Sequence, residues 1–174
     1  MEYYQEGNPV KFSVKFAIAL SLGMFMSPAL AAAGSCEIPA NASQLAQEAA
    51  KAINAQRVAH GRKPLQFEPR LQASALAHAC DMAVKGYFSH RGANGSKPKA
   101  RLRRQGCRAG LVAENIAVGQ TNPSELVKDW MNSPGHRKNI LLGRGTNQYG
   151  IGIAKAGKAY SHGYLWVLVE SRGC

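Results

Sequence analysis

Acid is what this chain has least of. Asp and Glu together number 10 against 22 Lys and Arg, and the formal net charge is +12. Between Asp81 and Glu114 there is no acid at all. Aromatics are sparse at 7%, and none stands among the basic residues from Arg91 to Arg108. That disfavours the stacked-base surface of a single-strand nucleic-acid binder. No CxxC occurs, which argues against a thiol redox motif or a zinc knuckle. GxSxG and HExxH are missing too, so neither a nucleophile elbow nor a zinc-peptidase helix is written in the sequence. Beyond the first 33 residues there is no internal repeat and no low-complexity tract. The one long apolar run, Phe16 to Met26, is short for a membrane span of about 20 residues.

That run has the layout of a secretory signal peptide. Lys11 and Lys15 precede it, Ser27-Pro28 break it, and Ala29-Leu30-Ala31 and Ala31-Ala32-Ala33 supply small-residue cleavage sites. Residues 1–33 are therefore expected to be a signal peptide, 34–43 a linker and 44–174 one domain. The expected location is secreted or periplasmic. The alternatives are an uncleaved anchor and a lipid on Cys36, although Cys36 lacks the Leu usual three residues upstream. Cleavage leaves about 140 residues, enough to bury one core without metals. All four cysteines survive it: Cys36, Cys80, Cys107 and Cys174. An even count in an exported chain suggests two disulfides. Of three possible pairings, Cys80 with Cys107 and Cys36 with Cys174 is preferred. The first would close a loop around His90, and the second would tie the chain ends.

Helical spacing runs from Gln44 to about His60 through Leu45, Ala49, Ala52, Ile53 and Val58, ending at Gly61. Lys63 to Glu68 reads as a connector. A second, alanine-rich helix starts at Pro69 and closes at Gly86, and His78 within it reads as a packed or surface histidine. Arg91 to Pro98 is a polar loop, and 98–105 a short basic helix. Leu111 to Gly119 reads as a short buried strand or turn. Asn122-Pro123 and Ser133-Pro134 each open a helix by the cap-plus-proline rule. Tyr149 to Lys155 and Tyr164 to Glu170 read as strands around an Ala156-Gly157-Lys158 turn. The expected class is α+β, with helices packed on a small antiparallel sheet. Trp130 and Trp166 are expected in the core.

The positive charge is local. Lys85, Arg91, Lys97, Lys99, Arg101, Arg103, Arg104 and Arg108 all fall in the acid-free stretch. Such a patch attracts polyanions. In an exported protein those would be anionic lipid, lipopolysaccharide or cell-wall polymer, with peripheral membrane contact and no nucleic acid. A solvated face is the plainer alternative.

Three separated segments carry polar residues beside glycine or aromatic neighbours: Gly86-Tyr87-Phe88-Ser89-His90, Ala113-Glu114-Asn115-Ile116-Ala117, and Trp130-Met131-Asn132-Ser133-Pro134-Gly135-His136-Arg137. His90, Glu114 and His136 are expected to line one cleft, since rigid elements position side chains better than one loop. A glutamate in an apolar segment must find donors, and His90 is the expected one. Ser133 serves as a helix cap, and Asn115 ties down backbone groups. Ser89 or Ser133 could be drawn as a nucleophile, yet neither has an evident oxyanion hole.

These motifs, together with the Trp166 strand, resemble the CAP superfamily of cysteine-rich secretory, antigen 5 and pathogenesis-related-1 proteins, in its bacterial SCP-like branch. The resemblance covers about residues 48–170. It implies export, a three-layer α-β-α sandwich and a surface cleft. In many members that cleft binds a divalent cation such as zinc through two histidines and two glutamates. His90 matches the first histidine and Glu114 the first glutamate. Ser133 stands at the second glutamate, and Tyr164 is matched to the second histidine. His136, one helical turn past Ser133, can reach the same cleft, which makes His90, His136 and Glu114 the candidate zinc ligands. His162, two residues before Tyr164, is an outside candidate. The function expected is a secreted module that binds an envelope, lipid or wall ligand through the His/Glu cleft. The alternative is a hydrolase, metal-assisted or His/Glu acid–base, acting on peptide or wall material.

Overall fold

The structure is a computed structural model that describes residues 35–143, 145–160 and 162–174. The expected signal peptide lies outside the described residues. The elements run α1 (Ala42–Ala59), β1 (Gln66–Phe67), α2 (Pro69–Lys85), α3 (Pro98–Arg104), β2 (Leu111–Val118), α4 (Pro123–Asn132), α5 (Pro134–Ile140), β3 (Gln148–Lys155) and β4 (Tyr164–Arg172). The strands form one sheet in the order β1-β3-β4-β2, antiparallel throughout except for the two-residue β1, which runs parallel to β3. β1 falls where a connector was expected, because two residues carry no readable period.

Both faces of the sheet are covered. Strand side chains alternate between faces, and β4 uses both for burial. Trp166 and Leu168 pack with Leu45, Ile53, Leu126 and Trp130 of α1 and α4. Leu165, Val167 and Val169 pack with Leu71, Ala75 and Met82 of α2 and Leu102 of α3. Apolar residues on both sides of a strand require a helical layer on each side, which gives the expected three-layer sandwich. α2 lies closest to the sheet. A methyl group built on Gly150 would meet the Gln72 backbone nitrogen at 2.0 Å, and one on Gly152 the Leu76 nitrogen at 2.1 Å. Only glycine lets the helix backbone approach so near.

Local chemistry sets the element ends. Asn122 accepts from the backbone N–H groups of Ser124 and Glu125, as a cap should. Gly86 ends α2 in the left-handed region with φ 67°. Ser133 stands at the N-cap of α5, but its side chain makes no capping hydrogen bond.

The disulfide pairing differs from the expected one. Cys36 joins Cys80, and Cys107 joins Cys174. The sheet explains this. β2 and β4 pair from Leu111 opposite Arg172, so the chain just before β2 lies beside the chain just after β4. The Gly110 N–H donates to the Arg172 carbonyl at 3.3 Å, which brings Cys107 to Cys174. At the other end the Lys155 N–H donates to the Glu37 carbonyl at 2.8 Å, placing the entering chain near α2 and Cys80. With its sulfur in a disulfide, Cys36 cannot also carry a lipid thioether. Digestion of the protein without reduction is expected to yield linked peptides 36–80 and 107–174, with no 80–107 link.

Two buried ionisable groups stand outside the site described below. Arg57 of α1 donates to the carbonyls of Lys63, Ile140 and Leu142, tying α1 to the end of α5. Glu170 lies opposite Ala113 and Tyr149, is buried, and has no hydrogen-bond partner on either carboxyl oxygen. Burial pushes its pKa up to about 8, with Arg57 pulling it only partly back. Through the interval from the ordinary carboxyl value to about 8, the folded state holds a proton that the unfolded state has released. Its contribution therefore lowers stability as pH rises across that window and levels off above it. Glu170→Gln is expected to remove this component of the slope in denaturant unfolding measured from pH 5 to 9.

Candidate functional site

The site is built on the outer strand of the sheet. β2 pairs with β4 on one side only, so its other edge needs cover. Side chains from the α4–α5 segment provide it. Asn139 Nδ2 donates to the Glu114 carbonyl at 3.1 Å, and Trp130 Nε1 to the Ile116 carbonyl at 3.5 Å. Consecutive residues of a strand point to opposite faces. Glu114 therefore enters the α2–α3 layer while Asn115 enters the α1–α4 layer. Asn115 Nδ2 donates to the His136 carbonyl at 3.1 Å, and its Oδ1 accepts from Asn139 at 2.8 Å. Glu114 and Asn115 thus anchor one segment from each layer along a single edge.

Glu114 is the centre of the arrangement. Its carboxylate is buried, with 2% of the side chain exposed. One oxygen accepts from His90 Nδ1 at 2.9 Å, and the other from Arg101 Nη2 at 2.5 Å. Arg101 also donates to the carbonyls of His90 and Ser96, at 3.0 and 2.8 Å. One guanidinium thereby holds both the acid and the loop that carries its histidine. Buried His78 lies behind, with Nε2 2.9 Å from the Ser89 carbonyl and 3.9 Å from Glu114. Burial lowers the His78 pKa, opposed by the Glu114 charge, so the inner ring is neutral at neutral pH. Glu114 fixes the hydrogen of His90 on Nδ1 and leaves Nε2 turned away from it. The His90 side chain is half exposed.

His136 comes from the other layer, with its ring 6.4 Å from Trp130. Burial lowers its pKa, and the charge of a protonated His90 lowers it further. The two imidazoles are thus within electrostatic reach across the edge of β2. Ser133, half-buried, sits at the joint of α4 and α5. Tyr164 is elsewhere. Glu114 pairs with Val169, and Tyr164 lies five residues back along β4, about 17 Å at strand rise. Its ring packs against Trp166. His162 precedes β4 at that same far end and is exposed. The structure brings His90, Glu114 and His136 to one edge and leaves Tyr164 and His162 out.

Sequence reasoning missed Arg101 and His78 as parts of this site. A buried glutamate demands a cation, but nothing distinguished Arg101 from the other basic residues of its stretch. His78 carried only helical spacing.

The donor set does not fit the metal that the family resemblance implies. Both Glu114 oxygens are taken, one by the Arg101 guanidinium, which removes the carboxylate from the ligand set and leaves only His90 Nε2 and the His136 ring. Ser133 brings a hydroxyl and no carboxylate, and Tyr164, matched by motif order to the second histidine, lies away from the site. Among the described residues no group of three or more His, Cys, Asp or Glu is arranged to hold a metal ion.

A three-layer α-β-α domain with a His/Glu edge site and two disulfides is the class of protein that this fold defines. The model of the cysteine-rich secretory protein family matches residues 50–169, and the chain belongs to that family, CAP. It is 37% identical over 127 residues to the uncharacterized protein YkwD of Bacillus subtilis, covering 73% of this chain and 49% of that one. It is 31% identical to the uncharacterized membrane protein YlbC of the same organism, covering 64% and 32%. The chain thus spans half or less of these curated relatives. Among solved structures, an extracellular SCP-domain protein of Bacillus anthracis superposes with TM-score 0.66 at 26% identity, covering 75% of this chain and 41% of that one. An outer surface protein of Borrelia burgdorferi gives 0.69 at 18%, covering 81% and all of that chain, a likeness of fold alone. Among the described residues no helix is long and apolar enough to cross a membrane.

In an NMR titration His136 is expected to protonate below the ordinary histidine value. His90→Ala should raise that midpoint part of the way, leaving the larger share that burial causes. An unchanged midpoint would mean that the two rings do not share a cleft.

Proposed function

We propose that this chain is a secreted CAP module that binds an anionic envelope ligand, gathered by the basic face around α3 and recognised at the His90–Glu114–His136 edge. The observation that carries this reading is a set of cations without a carboxylate partner. Arg91, Lys97, Lys99, Arg103, Arg104 and Arg108 are all exposed. Among the described residues none of them has a carboxylate within ion-pair distance. The one acid at the end of their stretch, Glu114, is buried and already neutralised by Arg101. A solvated face usually mixes both signs; one that excludes acid attracts polyanions. Anionic lipid, lipopolysaccharide and wall polymer share the chemistry this face suits.

A second reading rests on the Glu114–His90 bond. A carboxylate on Nδ1 leaves Nε2 able to take a proton from a bound hydroxyl or water, the geometry of general-base hydrolysis. Turnover of peptide or wall fragments that His90→Ala abolishes without unfolding the protein would favour it.

The protein is expected to bind phosphatidylglycerol vesicles with an affinity that falls as salt rises. The double change Arg103→Glu with Arg108→Glu should weaken binding by more than about tenfold, at roughly 1 kcal/mol per basic residue near the surface. Salt-independent binding, or equal binding to neutral phosphatidylcholine vesicles, would overturn the proposal.

A further inference from the structure

At the β1 edge of the sheet lies a cavity of about 310 Å³, at the lower end of the range for small-molecule sites. It stands apart from the site above. The strand order β1-β3-β4-β2 puts three strand spacings, about 14 Å, between β1 and the strand that carries Glu114. In a chain of net charge +12, no acid, lysine, arginine or histidine lines this cavity. Phe67 and Tyr149 do, with Ser43, Gln47 and Gln72.

The fold holds these groups in place. The Gln66 N–H donates to the Asn147 carbonyl and the Glu68 N–H to the Tyr149 carbonyl, each at 2.9 Å, which clamps β1 against β3. That register puts Phe67 opposite Tyr149, with ring centroids 5.9 Å apart and edge to face. Gln72 is fixed by the close approach of α2 to Gly150. Ser43 and Gln47 lie four apart at the start of α1, and Gln47 Nε2 donates to Ser43 Oγ at 3.3 Å. All five residues reach solvent. Phe67 is 53% exposed, Ser43 and Gln47 are exposed, and Gln72 and Tyr149 are half-buried. Neither the Gln72 amide nor the Tyr149 hydroxyl makes a hydrogen bond among the described residues.

These groups specify the chemistry of an occupant. An anion or a cation would find no opposite charge here. Burial raises the Tyr149 pKa, so the phenol too is neutral. A purely apolar guest would cover amides and hydroxyls without matching them, which is costly. A peptide strand would need a free sheet edge. Past Tyr149, where β1 ends, that edge is closed, since Ile151 and Ile153 are each 2% exposed. Amides and hydroxyls both donate and accept, so they suit partners that do the same. The electron-rich faces of aromatic rings suit polarised C–H bonds. A sugar ring presents both, with C–H groups on its faces and hydroxyls around its rim.

We infer that this cavity binds a neutral sugar ring, packed on Phe67 and Tyr149 and hydrogen-bonded by Ser43, Gln47 and Gln72. The site is separate from the basic face and from the His90–Glu114–His136 edge, so either reading can fail without the other.

The test is an NMR titration of the protein with methyl glucoside and N-acetylglucosamine as separate probes, and with cyclohexanol as a ring that carries one hydroxyl. At least one sugar is expected to shift the Phe67, Gln47 and Gln72 signals saturably. Its affinity should not change with salt, because the ligand is neutral. Phe67→Ala should barely move Tm, since half of that side chain is already in solvent, yet weaken the sugar about three- to tenfold. Phe67→Trp should keep the binding, and Gln72→Ala should weaken it. Arg103→Glu with Arg108→Glu, which disables the basic face, should leave this titration unchanged. No saturable shift at these residues with either sugar would overturn the inference. So would equal affinity for cyclohexanol, which would mean an apolar groove that does not read hydroxyls.

Discussion

The bond between Arg101 and Glu114 is the constraint on which the functional edge of this domain depends. It joins the short basic helix to the outer strand of the sheet and leaves the carboxylate almost sealed from water. A buried carboxylate is tolerable only when paired and fully hydrogen-bonded, and here both oxygens are. The same guanidinium holds the carbonyls of His90 and Ser96. The acid, its base and the loop between them therefore move as one unit. Removing Arg101 would leave an unpaired acid behind α3 and a histidine without a fixed orientation.

This arrangement changes what the edge can do chemically. A carboxylate free to turn could join two imidazoles around a cation. One clamped by a guanidinium serves instead to orient a histidine. The internal cation answers the charge of Glu114 from within the protein. What is left uncommitted is His90 Nε2 on its half-exposed side chain, with the half-buried His136 ring within electrostatic reach. The exposed basic residues of α3 and its flanks, Lys97, Lys99, Arg103, Arg104 and Arg108, lie outside this neutralised unit and keep their charge for solvent.

Much of this was legible in the residues. Apolar positions at steps of three and four marked α1 and α2. The Asn122-Pro123 and Ser133-Pro134 pairs marked α4 and α5, and alternation around Gly150 and Gly152 marked β3. His90 and Glu114 were matched because a glutamate in Leu111-Val112-Ala113-Glu114-Asn115-Ile116 must be buried and must find a donor. Other features are properties of the assembled sheet. The disulfide partners follow from β2 and β4 pairing Leu111 with Arg172, a register that no spacing of cysteines encodes. Tyr164 was placed in the cleft by motif order, yet strand geometry carries it to the opposite end of β4. Arg101 was hidden among similar neighbours, since charge in a sequence does not reveal which guanidinium turns inward.

The two layers on either side of the sheet bear unequal chemical loads, and the reason lies in strand periodicity. On the α1–α4 face the edge strand presents Asn115 and Ala117, and Asn115 is matched by Asn139 and the His136 backbone. On the α2–α3 face it presents Glu114, whose charge must be answered from inside that layer. Answering it draws Arg101 inward, where the same guanidinium also holds the His90 and Ser96 carbonyls, so burying the acid at the edge fixes the loop beside it as well.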